Sequence, residues 1–270
     1  MILRPKCQSH MPTWPALLLG CLIFVVGCDA SVASAVSTPA DSAAPADSSS
    51  ASDASRLPVS GCVPRLGVSG TPSTIEDVID LAHVLFGASD GELTLPCLVE
   101  SLDRPLGTLA VDSLFSAQPA AGRNNPRIFL FTRALVMSVV PAGEGRNVIE
   151  LSQLTSPTRG IKAEIPFPLH APIPATLPFD RIRYGSGTYC GGCHAGEVPA
   201  SQISTAEAFE SDILRPRPAE EVPLSAVAAQ AASCDRQQDA RRCDLLTAVF
   251  GHGEIYRQEF SPLTHSIYGD

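Results

Sequence analysis

Between residues 93 and 167 the apolar residues of this chain come in short runs cut by Pro, Gly and Asn, a pattern that confines the middle of the molecule to β-structure. Leu93-Thr94-Leu95, Ile128 to Phe131 and Leu135 to Val140 are runs of strand length. Ile161, Ala163, Ile165 and Phe167 alternate with Lys162, Glu164 and Pro166, the period of a strand with two unlike faces. Pro141-Ala142-Gly143-Glu144-Gly145 separates Leu135 to Val140 from Val148 to Leu151 and predicts a hairpin. The expectation is a small β-rich domain, sandwich-like, within residues 58–185.

Helical signals flank it. Ser73-Thr74-Ile75-Glu76 reads as a capping box ahead of Ile75, Val78, Ile79, Ala82, Leu85 and Phe86 at helical spacing, with Gly87 as the stop. Past residue 200, Ser204 with Glu207 forms a second such box, and Leu224 to Ala232 is rich in alanine. Asp239 can cap a helix carrying Leu245, Leu246, Val249 and Phe250 to Gly251. The fold class is therefore α+β, with one helix before the strands and a helical segment over residues 186–270.

The N-terminal end has another character. Arg4 and Lys6 precede an apolar run from Trp14 to Val26, which falls short of the roughly 20 residues a spanning helix needs. Gly27 and Cys28 follow, in the order of an export signal. Val25-Val26-Gly27-Cys28 resembles the lipobox of bacterial lipoproteins. That resemblance implies a signal over residues 1–27, lipid on Cys28 as the mature N-terminus, and attachment to a membrane on the periplasmic or cell-surface side of a bacterial envelope. Residues 28–57 are mostly Ala, Ser, Asp and Pro, too poor in apolar surface to offset the entropy of ordering, and are expected to act as a disordered tether.

Net charge is −9 with 19 Lys and Arg and no basic cluster, which argues against nucleic acid as a partner. Of the nine cysteines, Cys7 and Cys21 leave with the signal and Cys28 takes the lipid. Cys62, Cys97, Cys190, Cys193, Cys234 and Cys243 remain, an even set suited to an oxidising compartment.

Cys190-Gly191-Gly192-Cys193-His194 is the strongest chemical motif in the chain. It is similar, residue for residue, to the attachment site of c-type cytochromes. The resemblance implies haem c held by thioethers to Cys190 and Cys193, with His194 as the proximal iron ligand, and favours an electron carrier served by a redox partner, or a binding protein, over an enzyme. No methionine follows Met137, so a sixth ligand would come from His252, with His265 and His170 as further candidates, or the position stays open. With Cys190 and Cys193 assigned to haem, the simplest pairing of the other four is Cys234 with Cys243 and Cys62 with Cys97. Other uses of Cys190 and Cys193 are a disulfide in a noncatalytic, partner-binding or structural envelope lipoprotein, half of a zinc site, or a thiol-exchange pair.

The anchor gives the first test. Cys28→Ser removes the acceptor thiol, so the variant is expected to leave the detergent phase that holds the parent. A variant that partitions like the parent after signal removal refutes the lipobox reading.

Overall fold

The computed structural model describes Cys62 and residues 69–86, 91–113 and 118–266. The export signal, Cys28 and the tether lie outside the described residues. Among those described, no helix is long and apolar enough to cross a membrane.

The first helix, α1 (Ile75–Phe86), buries Ile75, Val78, Ile79, Ala82 and Leu85 along one stripe. Its capping box lies one residue later than the sequence suggested. Thr74 Oγ1 accepts from the Asp77 amide at 3.0 Å, while Asp77 Oδ2 accepts from the amides of Ser73 and Thr74 at 2.7 and 2.9 Å. A two-residue strand, β1 (Glu92–Leu93), leads into α2 (Leu95–Glu100), which Thr94 caps. Leu95 is thus the start of a helix and not the end of a strand, as Pro96 in the first turn favours.

The strands β2 (Leu106–Val111), β3 (Arg127–Phe131), β4 (Leu135–Val139), β5 (Val148–Ser156) and β6 (Arg159–Pro166) run antiparallel in sequence order. The expected hairpin joins β4 to β5, and Gly143 and Gly145 supply the positive φ angles, 86° and 78°, that its turn requires. Beyond β7 (Leu169–His170) and α3 (Leu177–Asp180), the strands β8 (Arg183–Tyr184) and β9 (Gly187–Thr188) form a small hairpin. The chain then returns to the large sheet through β10 (Val198–Pro199) and β11 (Phe209–Asp212), continues as β12 (Leu214–Arg215), and forms α4 (Leu224–Ala232) and α5 (Arg236–Phe250). It ends with β13 (Ile255–Arg257) and β14 (His265–Ser266).

The result is one eight-stranded sheet in the order β10-β11-β6-β5-β4-β3-β2-β13, antiparallel except where β13 joins β2 in parallel. A sandwich of two packed sheets was expected; the structure corrects this to a single large sheet with helices on one face. Ile128, Leu130, Leu135, Met137, Ile149, Leu151, Ile161, Ala163 and Ile165 meet the buried stripes of α1, α2, α4 and α5 in one core. A sheet edge still needed pairing, which explains why no helix begins at Ser204: Phe209 and Ser211 alternate inward on β11, Glu210 to Asp212 pair along β6, and Glu207 turns to Arg183 at 2.9 Å. Strands from both sides of residue 185 share this sheet.

Asp239 interrupts α5 with a non-helical φ/ψ of −151° and 82°, and its carboxylate accepts from the Arg242 amide at 3.1 Å, so it caps the helix that follows. Just before it, Cys234 is joined to Cys243, fastening α4 to α5; Cys62 is joined to Cys97 on α2. Closing a loop of about ten residues reduces the entropy of the unfolded chain by the equivalent of about 2.5–3 kcal/mol. A Cys234→Ala, Cys243→Ala double variant is therefore expected to lose about 2.5–3 kcal/mol in urea denaturation. A midpoint unchanged from the parent contradicts it.

Candidate functional site

The second face of the sheet carries two kinds of side chain. Toward β2 and β3 it is apolar: Leu109, Val111, Phe129, Phe131 and Val136 form a separate cluster, with Phe260 edge-on to both Phe129 and Phe131 at 5.1 Å. Toward β6 it is polar, because Ser138, Glu150, Ser152, Lys162 and Glu164 occupy the alternate positions of their strands. Register places Ser138 beside Glu150, Glu150 beside Glu164, and Ser152 beside Lys162. Adjacent carboxylates repel, and each is offset by its own cation. Arg127 reaches Glu150 and also donates to Ser138 Oγ, while Arg181 donates to Glu164 at 2.9 Å.

These polar side chains do not face water. Lys162 and Glu164 are each only 7% exposed, because the segment from β8 to β12 lies over them. Between that segment and the sheet is a cavity of about 490 Å³, within the usual range for small-molecule and cofactor pockets. Cys190, Cys193 and His194 all line it, opposite Phe129, Lys162 and Glu164.

The motif adopts one helical turn. Thr188 caps a short 3-10 turn over Tyr189–Gly192 by accepting from the Gly191 amide, and the amides of Cys193 and His194 donate to the Cys190 carbonyl at 3.1 and 2.9 Å. Glu197 locks the turn, since its carboxylate accepts from both the amide and the hydroxyl of Thr188. Two glycines make room for it: a Cβ on Gly187 would stand 2.1 Å from the Glu197 carboxylate, and one on Gly191 would stand 2.9 Å from it. On the other side, His194 Nδ1 meets the Asp212 carbonyl at 2.8 Å, and the Asp212 amide donates to the Ala195 carbonyl. Arg159 ties the same corner to the sheet, donating to Glu210, to Asp212 and to the Gly196 carbonyl.

A carbonyl only accepts, so Nδ1 of His194 carries the proton and Nε2 keeps its lone pair. Burial, and after it the charge of Lys162, pushes the imidazole down to about 4, so the ring is neutral at neutral pH. Burial also pushes the Cys190 thiol up to about 11, with Glu150 adding to the effect. Burial lowers the Lys162 amine to about 8 against the opposing pull of Cys190 and Glu150. The Tyr189 phenol, buried and donating to Glu164, is raised above its ordinary value.

Cys190 and Cys193 are both free thiols. His252 does not join them: it lines a different cavity, beside Cys97, with its Nδ1 3.5 Å from Glu100. His170 and His265 are exposed and line neither cavity. Among the described residues no three His, Cys, Asp or Glu side chains converge as they would on a single ion, so the half-zinc-site reading has no second half in this structure. The motif itself was legible because its three residues are adjacent; Lys162, Glu164 and Glu197 were not singled out. The alternation of Lys162 and Glu164 on an otherwise apolar strand, and the glycines at 187 and 191, were the available signals.

No family model, curated protein or solved structure matches this chain.

Thiol chemistry tests the geometry directly. In haem-free protein at pH 8, alkylation of Cys190 is expected to be at least about tenfold slower than that of the exposed Cys193, because the thiolate is the nucleophile and Cys190 is buried and held protonated. The Cys190 rate should climb as pH approaches 11. Glu197→Ala should bring the two rates together by releasing the turn. Equal rates in the parent contradict the arrangement.

Proposed function

We propose that the protein is a c-type cytochrome-like electron carrier, lipid-anchored at Cys28 on the outer side of a bacterial membrane. It would bind one haem through Cys190 and Cys193, with His194 as proximal ligand. The observation that carries this reading is the selective state of the motif. The other four described cysteines are paired, while Cys190 and Cys193 remain thiols on the wall of one cavity, beside a histidine with an available Nε2. The donor set fits the group. Two free thiols and an imidazole with an unprotonated Nε2 line one cavity, the donor types that covalent haem attachment takes.

Bound haem would supply one-electron chemistry. The chain's own residues set its surroundings. The Asp212 carbonyl holds the imidazole in one tautomer and raises its basicity, the usual second partner of a ligating histidine. Phe129, Val136 and Phe260 give one side of the cavity an apolar wall that excludes water. Arg127, Glu150 and Glu164 give the other side fixed charges, which tune a reduction potential through local electrostatics.

The test is expression of the full chain in a host that matures c-type cytochromes. The expected results are a pyridine haemochrome band and a covalent haem mass on the peptide containing residues 190–194. His194→Ala should attach haem poorly or shift the Soret band and the potential strongly, while the thermal melt of haem-free protein stays close to the parent. A parent without covalent haem, or with Cys190 and Cys193 joined in a disulfide after maturation, refutes the proposal. It would then favour a noncatalytic envelope lipoprotein.

A further inference from the structure

The cavity contains one buried ionisable group that neither the fold nor the attachment chemistry uses. Lys162 projects from β6 on the side opposite Ile161 and Ala163, which belong to the helix-covered core. Its amine donates to Ser152 Oγ at 3.0 Å, the partner directly across the strand pair. Its neighbours are differently placed. Glu150 is held by Arg127, and Glu164 by Arg181 and Tyr189. A buried ammonium with no direct carboxylate partner is costly, and the attraction of Glu150 and Asp212 offsets that cost only in part.

The two walls of the cavity place this amine well. His194 sits on the overlying segment with Nδ1 turned away to Asp212, and Lys162 sits on the sheet that the segment covers. Both side chains line the same cavity. The other candidate donors are less well placed. His252, His170 and His265 lie outside the cavity, and Met137, although it borders the cavity, is buried in the helix-covered core. Glu164 is engaged by Arg181 and Tyr189, and Glu150 by Arg127 through Oε2 with its Oε1 buried and unpartnered, so Lys162 supplies the amine nitrogen on this wall.

We propose that the Lys162 amine is the second axial ligand of the haem iron, across the ring from His194. The assignment rests on the haem reading above. Coordination takes the neutral amine through its nitrogen lone pair, its proton passing to solvent, and Ser152 Oγ steadies the stem end while the site is empty of other donors.

The experiment compares haem-loaded parent, Lys162→Ala and Lys162→Met from the same maturing host, by absorption, electron paramagnetic resonance, carbon monoxide binding and potentiometry. The parent is expected to be six-coordinate and low-spin. Lys162→Ala should become high-spin and bind carbon monoxide in the ferrous state at least tenfold faster. Lys162→Met should stay low-spin with a raised potential, since thioether ligation raises it. A high-spin parent overturns the assignment and leaves the haem reading standing. So does a haem-loaded Lys162→Ala whose spectrum and carbon monoxide rate match the parent. If Lys162→Ala does not fold, Lys162→Met decides alone, and an unchanged spectrum and potential in that variant overturn the proposal. A parent that carries no covalent haem removes both.

Discussion

A sheet covered on both faces must find partners for every polar side chain it buries, and strand β6 poses that problem most sharply, with Lys162 and Glu164 on the face away from the helices. The arrangement of the second face follows from this. Arg127 spans from β3 to Glu150, Arg181 comes down from the end of α3 onto Glu164, and Tyr189 donates to the same carboxylate from the motif turn. The turn that carries the cysteine motif is therefore attached to the sheet through its first residue, Tyr189, and the cavity is what the polar network leaves between them. Replacing Glu164 would unseat two contacts at once, which makes it a stronger determinant of the motif's position than any residue inside the motif.

The fastening on the other side is of a different kind. Glu197, Asp212 and Arg159 hold the turn through backbone groups, and backbone groups do not depend on which side chains the turn displays. This division leaves Cys190, Cys193 and His194 with few structural duties, chiefly the imidazole bond to Asp212 and a Cys190–Thr188 side-chain hydrogen bond, and both thiols stay free. A rigid support behind unencumbered side chains is the arrangement expected where geometry matters more than local stability.

Much of the fold was legible where neighbours along the chain decide structure. Ile128 to Phe131, Leu135 to Val140 and the alternation through Phe167 announce strands because strand pairing here is with the next segment, and Asp239 announces a cap because capping is local. The sheet's edges were not legible. Phe209–Asp212 pairs with β6, and Ile255–Arg257 lies parallel to β2, partners separated by long stretches of sequence. Ser204 with Glu207 had the letters of a helix start, but the demand of an open edge outweighed a local preference. The site divides in the same way. Cys190, Cys193 and His194 are contiguous, whereas Lys162 and Glu164 looked like a wet face because the segment that covers them comes later in the chain.

The late position of that edge strand also orders events in time. A chain that emerges from its N-terminus completes β2 to β6 first, since each of these strands pairs with its predecessor. Cys190 and Cys193 appear next, before Phe209–Asp212 can dock on β6 and present the Asp212 carbonyl to His194. For that interval the segment carrying the two thiols lies beside a finished sheet without β11 to hold it there. Any enzyme that must reach them has its opening then, and β11 closes it.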